Sequence, residues 1–342
     1  MKKAAVVILN YNGKKFLEEF LPTVLANTNE ELAEIVVADN ASTDGSVAFM
    51  KECFPEIRLI VNDANGGFAT GYNLALRQIE AEYYVLLNSD IEVAPQWIEP
   101  LLELMDSDPS IAACQPKILS FYDRDKFEYA GASGGFIDQY GYPFCRGRVF
   151  QHLETDQGQY DDVCEVFWAT GACMVVRSDC YLKYGGLDDS FFAHMEEIDF
   201  CWRMKNLGYK IYCCPLSKVY HIGGGTLPKS SARKTFLNFR NNLSLLFKNL
   251  PDGKVFGTIA YRILLDWVAA VKFLCGGGWA DCWAVARAHF AFYRRLPSLR
   301  KARRAIPHHQ VGQVYQRNIV FDNFIRGKKC FSELDPNKFF QA

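Results

Sequence analysis

Short, continuously apolar segments alternate with amphipathic ones along the first third of the chain. The apolar segments predict strands at residues 4–10, 34–40, 58–63 and 83–90, and the amphipathic ones predict helices at residues 14–26, 46–53 and 71–79. Apolar strands separated by helices are typical of a parallel, doubly wound α/β sheet. Because ligands bind beyond the carboxyl ends of the strands in such a sheet, we expect the polar residues after each strand to form the binding site.

The rest of the chain has a different pattern. A helix that spans a bilayer needs about 20 nearly uncharged residues, and the apolar helix predicted at residues 255–275 contains Arg262, Asp266 and Lys272, so we do not predict a membrane span. The other predicted elements are a polar, glycine-rich hairpin or lid at residues 121–162, a strand entering a helix at 166–179, and amphipathic helices at 233–250 and 279–296.

Charge divides the chain into two parts of opposite sign. Residues 229–342 contain 20 Lys/Arg and 6 Asp/Glu, a net charge of +14, whereas residues 1–228 contain 18 and 33, a net charge of −15. Such a basic region is attracted to anionic lipid or nucleic acid. Its aromatic residues fall on apolar faces, which argues against nucleic acid and favours helices that lie in the interface of an anionic membrane. The alternative is a helical subdomain packed on the core. We predict two domains, residues 1–228 and 229–342.

The composition and the N-terminal segment indicate a folded, cytoplasmic protein, peripheral at the inner face of the cell membrane. Apolar residues make up 49% and charged residues 23% of the chain, as in globular proteins. The first apolar run, residues 4–9, is too short for a secretory signal. Twelve cysteines without C-x-x-C pairs favour reduced thiols and argue against a zinc site.

Candidate chemistry is concentrated between residues 185 and 221. Two adjacent carboxylates, Glu196 and Glu197, begin a predicted helix, and His221 follows a predicted strand. Together with Asp90 upstream, these residues supply a general base and two metal ligands, as a metal-assisted transfer from an activated phosphate donor requires. Asp199 and Arg203 have the i, i+4 spacing of a structural ion pair.

The ordered set of motifs resembles family 2 glycosyltransferases, most closely the bacterial rhamnosyltransferase-like branch. The resemblance covers about residues 3–226 and implies a GT-A fold, a nucleotide-binding α/β sandwich with a mostly parallel central sheet, here followed by C-terminal amphipathic helices. The motifs, in chain order, are VVILNYNG, VADNASTDGS, NGGFATGYN, LLNSD, FWATGACMVVRSD, GGLDDSFFAHMEEIDFCWR and the later His221.

The resemblance assigns the donor nucleotide to the first three strand ends. It implies that Asp39 binds the pyrimidine base, although Asp39 also suits an Asx turn and helix cap. It implies that Asn10 and Asn12 contact the nucleoside, and that Gly67 and Asn73 lie near the ribose and diphosphate. A plain polar turn explains Asn10 and Asn12 nearly as well, and Gly67 could equally serve only a tight turn.

The resemblance also implies a metal site. Asn88 and Asp90 occupy the family's DXD position, with Asn88 in place of the first acid, and His221 completes the site. A mixed carboxylate and imidazole site favours Mn²⁺ slightly over Mg²⁺. We expect the metal to bind appreciably only with nucleotide, because Asp90 is the single carboxylate ligand. A strand-ending turn and a structural histidine are the alternatives.

The catalytic assignment rests on the same resemblance. Glu197 stands at the position of the family's base, with Glu in place of the usual Asp. Adjacent residues on a helix point about 100° apart, so Glu196 needs a different task, such as orienting a sugar hydroxyl. Asp188 matches a position near the donor or acceptor sugar, although a helix cap is as plausible.

The expected function is an inverting transfer of a sugar from a UDP- or dTDP-sugar to a glycan acceptor, lipid-linked and used in cell-surface polysaccharide synthesis. A catalytically silent glycan- or nucleotide-binding relative is one alternative, which the departures at Asn88 and Glu197 allow. A sugar-nucleotide nucleotidyltransferase is another, but residues 10–13 lack its glycine-rich basic loop. A dinucleotide-dependent oxidoreductase would need a G-x-G-x-x-G after the first strand.

Overall fold

The computed structural model describes residues 2–223 and 231–341, so the predicted boundary at 228/229 lies outside the described residues. The strands are β1 (Ala4–Asn10), β2 (Ala33–Asp39), β3 (Arg58–Val61), β4 (Tyr83–Asn88), β5 (Ile91–Val93), β6 (Ile111–Ser120), β7 (Gly135–Asp138), β8 (Pro143–Cys145), β9 (Arg148–Val149), β10 (His152–Leu153), β11 (Cys164–Val166), β12 (Cys173–Arg177), β13 (Lys210–His221) and β14 (Val314–Tyr315). The α-helices are α1 (Lys14–Asn27), α2 (Ser46–Cys53), α3 (Gly67–Leu76), α4 (Glu99–Ser107), α5 (Ser178–Lys183), α6 (Glu196–Asn206), α7 (Ala232–Asn249), α8 (Val255–Cys275), α9 (Trp279–Arg303) and α10 (Ile319–Phe324). Short 3₁₀ helices occupy Asp189–Phe191, Asp252–Lys254, Phe331–Glu333 and Pro336–Lys338.

The central sheet of the described residues has the strand order β11-β13-β6-β12-β4-β1-β2-β3, and β5 pairs with β13. Strands β1 to β4 pair in parallel, β6 pairs in parallel with β13, and β5, β11 and β12 run antiparallel to their neighbours. The predicted α/β sandwich with a mostly parallel sheet is confirmed. As expected from that topology, β1, β2 and β4 end at the same edge, where the polar residues collect.

Alternation along β1 explains why both faces of this sheet are covered. Ala4, Val6 and Ile8 belong to one hydrophobic cluster, whereas Ala5 and Val7 belong to another. Because successive side chains of a strand point to opposite faces, an all-apolar strand packs against helices on both sides. All of β1 except the half-buried Leu9 is buried, and exposed residues begin at Tyr11, directly after the strand.

The segment predicted as a hairpin or lid forms a second sheet. Its order is β10-β9-β8-β7-β14, with antiparallel hairpins from β7 to β10 and a parallel pairing of β14 with β7. The aromatic rings of Phe331 and Phe339 lie 5.0 and 5.4 Å from that of Phe136. Residues from the C-terminal part of the chain therefore share a core with this sheet.

The C-terminal helices α7, α8 and α9 agree closely with the predicted ones. Helix α9 continues to Arg303, through Pro297. Within the described residues, no helix has both the length and the apolar character that crossing a membrane requires. All twelve cysteines have free thiols.

Candidate functional site

The carboxyl ends of β1 and β2 are joined through side chains. The amide of Asn10 donates to Asp39 Oδ2 at 2.9 Å and lies 3.2 Å from Ser42 Oγ, and the backbone N–H of Ser42 donates to Asp39 Oδ1 at 2.8 Å. Asn10 and Asp39 are buried, and Asn10 Oδ1 has no partner among the described residues. Asp39 thus accepts a hydrogen bond within the turn that follows β2, as a turn residue does. The unpartnered Oδ1 of Asn10 beside it is an acceptor that a ligand N–H could satisfy.

Asn12 braces the loop that follows β1. Its backbone N–H donates to Ser42 Oγ at 2.8 Å, and its side-chain oxygen accepts from the Thr43 N–H at 2.7 Å. Its φ of 51° is left-handed, a conformation that asparagine tolerates better than most residues. The structure therefore places Asn12 beside Asn10 and Asp39, at the mouth of the predicted nucleoside site.

Gly67 permits a close approach between α3 and the segment before α6. It has a φ of 87°, and a Cβ built on it would lie 2.4 Å from the carbonyl oxygen of Phe192. The Phe68 N–H donates to that same carbonyl at 2.8 Å. Helix α3 begins at Gly67, earlier than the predicted residue 71, because the left-handed glycine turns the chain directly into the helix.

Asn73 and Asp188 hold the loop before α6. The Asn73 amide donates to Leu187 O and to Asp189 Oδ1, both at 2.7 Å, and its oxygen accepts from the Tyr181 hydroxyl at 2.7 Å. Asp188 caps the helix Asp189–Phe191 by accepting from the Ser190 N–H, and it pairs with Lys248. The geometry supports the capping alternative for Asp188, and it gives the Asn73 amide a positioning task instead of direct contact with the donor.

Asp90 and His221 meet because β5 pairs antiparallel with the end of β13. His221 Nε2 lies 3.1 Å from Asp90 Oδ1, and Asn88 Nδ2 lies 3.5 Å from the same nitrogen. On the opposite side of the ring, His221 Nδ1 lies 3.0 Å from Glu128 Oε2. Asp90, Glu128 and His221 are all buried. Glu128 was not among the predicted site residues, because it is far from His221 in sequence and no local sequence pattern links the two residues.

The three ionisable groups of this cluster shift one another's pKa values. Burial alone would lower the pKa of His221, but Asp90, and then Glu128, raise it to about 10. Burial would raise the pKa values of Asp90 and Glu128, yet the His221 charge holds both below their ordinary values. The two carboxylates therefore favour a protonated His221, and a metal ion on Nε2 would displace the proton there while Nδ1–H still donates to Glu128.

Glu196 and Glu197 begin α6 directly after a strained backbone segment. Phe192, His194 and Met195 have φ values of 68°, 69° and 74°, which are costly for residues with a Cβ. Glu196 is 4% exposed, and one oxygen of each carboxylate, Oε2, is buried without a hydrogen-bond partner among the described residues. Strain and unpartnered polar atoms of this kind concentrate at functional sites.

The two carboxylates have raised pKa values. Burial raises the pKa of Glu197 to about 7, although backbone N–H groups at the start of α6 oppose it. Burial, and then the charge of Glu197, raise the pKa of Glu196 well above its ordinary value. Burial and the mutual repulsion of the two groups thus favour the protonated form of Glu196, whereas Glu197 is poised to exchange a proton.

The turn at residues 170–172 lies between Asn88, at the candidate metal site, and Glu197, the candidate base. The Asn88 N–H donates to Ala172 O at 2.9 Å. A Cβ built on the neighbouring Gly171 would lie 3.7 Å from the Glu197 Cβ. The metal-ligand candidates and the candidate base thus flank the same turn, residues 170–172. The structure brings together Asp90, His221 and Asn88 as one group, and Glu196 and Glu197 as its neighbour.

Comparison with known proteins identifies the family. The family model described as glycosyl transferase family 2 matches residues 5–179, just over half of the chain. The chain belongs to glycosyl transferase family 2. It is a glycosyltransferase with the GT-A fold, and the predicted resemblance is confirmed.

Relatives in this family share about a quarter of their residues with the chain. The N-acetylglucosaminyl-diphospho-decaprenol L-rhamnosyltransferase of Mycobacterium tuberculosis is 26% identical over 234 residues, 63% of this chain and 75% of that protein. The low-salt glycan biosynthesis hexosyltransferase Agl10 of Haloferax volcanii is 24% identical over 265 residues, 76% and 80% of the two chains.

Solved structures with the same fold are more distant in sequence. GalNAc-T7, solved with UDP, GalNAc and Mn²⁺, has a TM-score of 0.57 and 17% identity, and the match covers 74% of this chain and 49% of that one. Residues 1–349 of Staphylococcus aureus TarS, in complex with UDP, give a TM-score of 0.52 at 15% identity and cover 89% of this chain and 87% of that one.

No group of three or more His, Cys, Asp or Glu side chains within the described residues could hold a metal ion by itself, but the Asp90–His221 pair offers a divalent cation one oxygen and one nitrogen ligand. Asp90 and His221 would hold it, and Glu128 on the far nitrogen of His221 is the carboxylate that commonly orients a metal-bound imidazole. Gly223, with a φ of 72°, allows this arrangement, because a Cβ there would lie 2.4 Å from Glu128 Oε1. With only these two protein ligands, phosphate oxygens of a bound nucleotide would supply the others that a divalent cation needs.

Sequence reasoning found one structural pair and missed its partners. The predicted ion pair is confirmed, with Arg203 Nε 2.8 Å from Asp199 Oδ2. Lys248 and Asn249, from α7, also bind the Asp199 carboxylate, at 2.8 and 2.9 Å. These contacts fasten α7 to the helix that carries Glu197.

Proposed function

We propose that this glycosyltransferase transfers a sugar from a UDP- or dTDP-sugar to a hydroxyl of a lipid-linked glycan, with inversion and with a divalent cation, Mn²⁺ or Mg²⁺. The observation that carries the proposal is the turn at residues 170–172, where Ala172 accepts from the N–H of the metal-ligand candidate Asn88 and Gly171 lies against Glu197, a half-buried carboxylate with an elevated pKa. A base and an oxygen-and-nitrogen ligand pair suit transfer from a nucleoside diphosphate.

Glu197 acts as the base in this proposal. Its carboxylate takes the proton of the acceptor hydroxyl as that oxygen forms a bond to the anomeric carbon. The bond from the anomeric carbon to the diphosphate breaks at the same time, and the electron pair leaves with the nucleoside diphosphate. A single displacement without an enzyme nucleophile inverts the anomeric configuration. A cation held by Asp90 and His221 would neutralise charge on the leaving diphosphate.

The remaining site residues bind and orient. Asp39 and Asn10 offer hydrogen-bond acceptors for the pyrimidine ring, beside Asn12. Gly67 allows the backbone of α3 to approach the ribose and diphosphate, and Asn73 holds the loop that closes over them. Glu196, protonated, has a donor available for a sugar oxygen. Most of the rate enhancement then comes from positioning and charge stabilisation.

In this proposal the two predicted regions have different roles. Residues 1–228 bind the donor and catalyse transfer, and residues 229–342 rest on the cytoplasmic surface of an anionic membrane, where a lipid-linked acceptor is found. Exposed apolar side chains on α8 and α9 support this placement: Phe256, Leu264, Val268, Trp279 and Trp283. The acceptor of the M. tuberculosis relative is, by its name, a decaprenol-linked diphosphate, which supports a lipid acceptor here.

A thermal-stability screen tests the donor half of the proposal. The full chain is heated with UDP-, dTDP- and GDP-sugars, each with Mn²⁺ and with chelator. A ligand present at about 100 times its Kd stabilises the native state by about 2.7 kcal/mol. We expect a Mn²⁺-dependent rise in Tm for uridine or thymidine donors. No rise with any donor would contradict the proposal and favour a silent relative.

A further inference from the structure

A groove between α7 and α9 lies next to the loop that precedes the candidate base. It consists of two adjoining depressions of about 610 and 530 Å³, which share Phe236, Arg240 and Arg287. Phe192, in the strained segment before α6, lines one of them. An occupant of this groove therefore contacts the segment that leads directly to Glu197.

Five arginines line the groove: Arg233, Arg240, Arg287, Arg294 and Arg295. Some other arginines of the C-terminal region are paired with carboxylates, such as Arg262 with Asp266 and Arg303 with Asp252. None of the five groove arginines has such a salt bridge within residues 2–223 and 231–341. The nearest acid that influences one of them, Asp188, is already paired with Lys248.

Two of these arginines converge at one point. Arg240 Nη2 donates to Ser190 O at 3.3 Å and to Phe191 O at 2.9 Å, and Arg295 Nη2 donates to the same Ser190 carbonyl. Arg295 Nη1 is buried without a hydrogen-bond partner among the described residues. Burial, and then the charge of Arg295, lower the pKa of Arg240 to about 10. Two partly buried cations without a counter-ion are costly unless an anion joins them.

Aromatic side chains lie beside the cations. Trp283 and Phe290 line the groove on α9, yet they are 65% and 63% exposed. Arg240 and Arg287 stack over Phe236 at 5.3 and 5.4 Å from the ring centroid. Guanidinium groups bind phosphate oxygens bidentately, and exposed aromatic faces bind hydrocarbon. The occupant that this lining fits carries an anion and an apolar chain together.

We propose that this arginine groove binds the acceptor through its lipid diphosphate, with the arginines on the phosphates and Trp283 and Phe290 on the first part of the hydrocarbon chain. The inference rests on the proposed function and adds the part of the acceptor that the enzyme holds. Binding the diphosphate beside residues 190–192 would present the attached sugar to Glu197.

The test uses farnesyl diphosphate as the probe and the full chain in chelator, so that the donor site does not compete for a diphosphate. Each charge-assisted hydrogen bond to an ion contributes about 1.5–3 kcal/mol, roughly tenfold or more in Kd. We expect Arg287→Gln/Arg294→Gln to weaken farnesyl diphosphate binding by at least about tenfold. Lys51→Gln/Arg77→Gln, which removes two exposed charges outside the groove, serves as the control and should bind normally.

Further binding measurements distinguish a lipid diphosphate from free pyrophosphate and from bilayer headgroups. Farnesol and inorganic pyrophosphate should each bind more weakly than farnesyl diphosphate, and Trp283→Ala/Phe290→Ala should remove the advantage of the farnesyl chain. Equal losses in the groove and control variants would overturn the proposal. So would a groove variant that loses binding to phosphatidylglycerol vesicles but keeps farnesyl diphosphate, because the groove would then bind bilayer headgroups. Donor binding with Mn²⁺ is measured separately, so the two proposals can fail independently.

Discussion

Glu196 and Glu197 are neighbours in sequence but differ in ionisation. Burial raises both pKa values, and the charge of Glu197 adds to the effect on Glu196. Glu196 is therefore neutral when Glu197 ionises, since two adjacent buried carboxylates resist carrying two charges. The pair thus provides one base and one hydrogen-bond donor at the start of the same helix.

Substitution of these two residues by glutamine should have unequal effects. Glu197→Gln removes the base, and general bases contribute about 10²–10⁴ to the rate, so we expect transfer to be essentially abolished with nucleotide binding near normal. Glu196→Gln resembles the protonated carboxyl and should cost less than about tenfold. Single-turnover transfer and calorimetric nucleotide binding measure the two properties. Retained turnover in Glu197→Gln would remove Glu197 from the role of base.

The pH dependence of the transfer rate should follow the ionisation of Glu197. The folded-state pKa of Glu197 is raised to about 7 because the carboxyl is buried. A base works only when it is ionised, so kcat/KM should reach a plateau above about pH 7 and fall about tenfold for each pH unit below it. The profile is measured from pH 5.5 to 9 at constant ionic strength. A profile that stays flat down to pH 5.5 would contradict a base with a raised pKa.

Local sequence predicted the residues at strand ends but not their partners. Asn10, Asp39 and Asp90 were found because parallel strands end at one edge. Glu128 was missed because it reaches His221 only through the pairing of distant segments. The sequence pattern also could not decide between contact with the donor and positioning for Asn73, because its partners Leu187 and Asp189 are brought to it by tertiary folding.

At the scale of elements, α7 holds the strained loop before α6. The buried amide of Asn241 lies 3.0, 2.9 and 2.8 Å from the carbonyl oxygens of Phe191, Ala193 and His194. These contacts satisfy backbone groups in a segment with three left-handed residues. The helix therefore stabilises a backbone that would otherwise relax, and it sets the start of the helix that carries Glu197.

Asn241→Ala should loosen this loop. Leaving buried carbonyls without a donor costs about 1–3 kcal/mol, so we expect a lower urea midpoint and a lower kcat. Asn238→Ala, a half-buried asparagine of the same helix without a hydrogen bond among the described residues, is the matched control. Equilibrium unfolding and transfer rates are compared for both. If Asn241→Ala matches Asn238→Ala in both, α7 does not hold the loop.

The sequence pattern predicted the helices and the central strands, but only part of the second sheet. Strong periodicity placed α7, α8 and α9 within a few residues, apart from the extension of α9 through Pro297. Residues 121–162 contain several glycines and polar residues, which suggested a hairpin or lid. Their hairpins are buried because Phe331 and Phe339 cover Phe136, and no local pattern predicts that β14 pairs with β7.

At the scale of the whole molecule, the C-terminal region has two faces. One face is buried: Arg262 and His289 lie 2.8 and 3.1 Å from Asp266, which joins α8 to α9, and Arg262 donates to the Tyr140 carbonyl at 3.1 Å, beside the second sheet. The other exposes apolar side chains such as Phe256 and Trp279. Deleting residues 255–342 would remove β14 and uncover Phe136, so surface substitutions are the better test of membrane association.

We expect Phe256→Ala/Trp267→Ala/Trp279→Ala to weaken binding to phosphatidylglycerol vesicles by about tenfold or more, because interfacial binding scales with buried apolar area. Tyr122→Ala/Leu182→Ala removes exposed apolar side chains from the α/β part and should sediment like the wild type. Co-sedimentation at two salt concentrations measures both the apolar and the electrostatic contributions. Equal sedimentation of all three proteins would contradict an interfacial role for α8 and α9.

The central claim is transfer, with a divalent cation and with inversion, from a nucleotide sugar to a lipid diphosphate-linked sugar. The most direct measurement incubates the full chain with the donor that stabilises it and a synthetic N-acetylglucosaminyl diphosphate lipid, with Mn²⁺ or chelator, and reads the anomeric configuration of the product by NMR. We predict a product of inverted configuration that forms only with the cation. Retention of configuration, or equal transfer in chelator, would contradict the account.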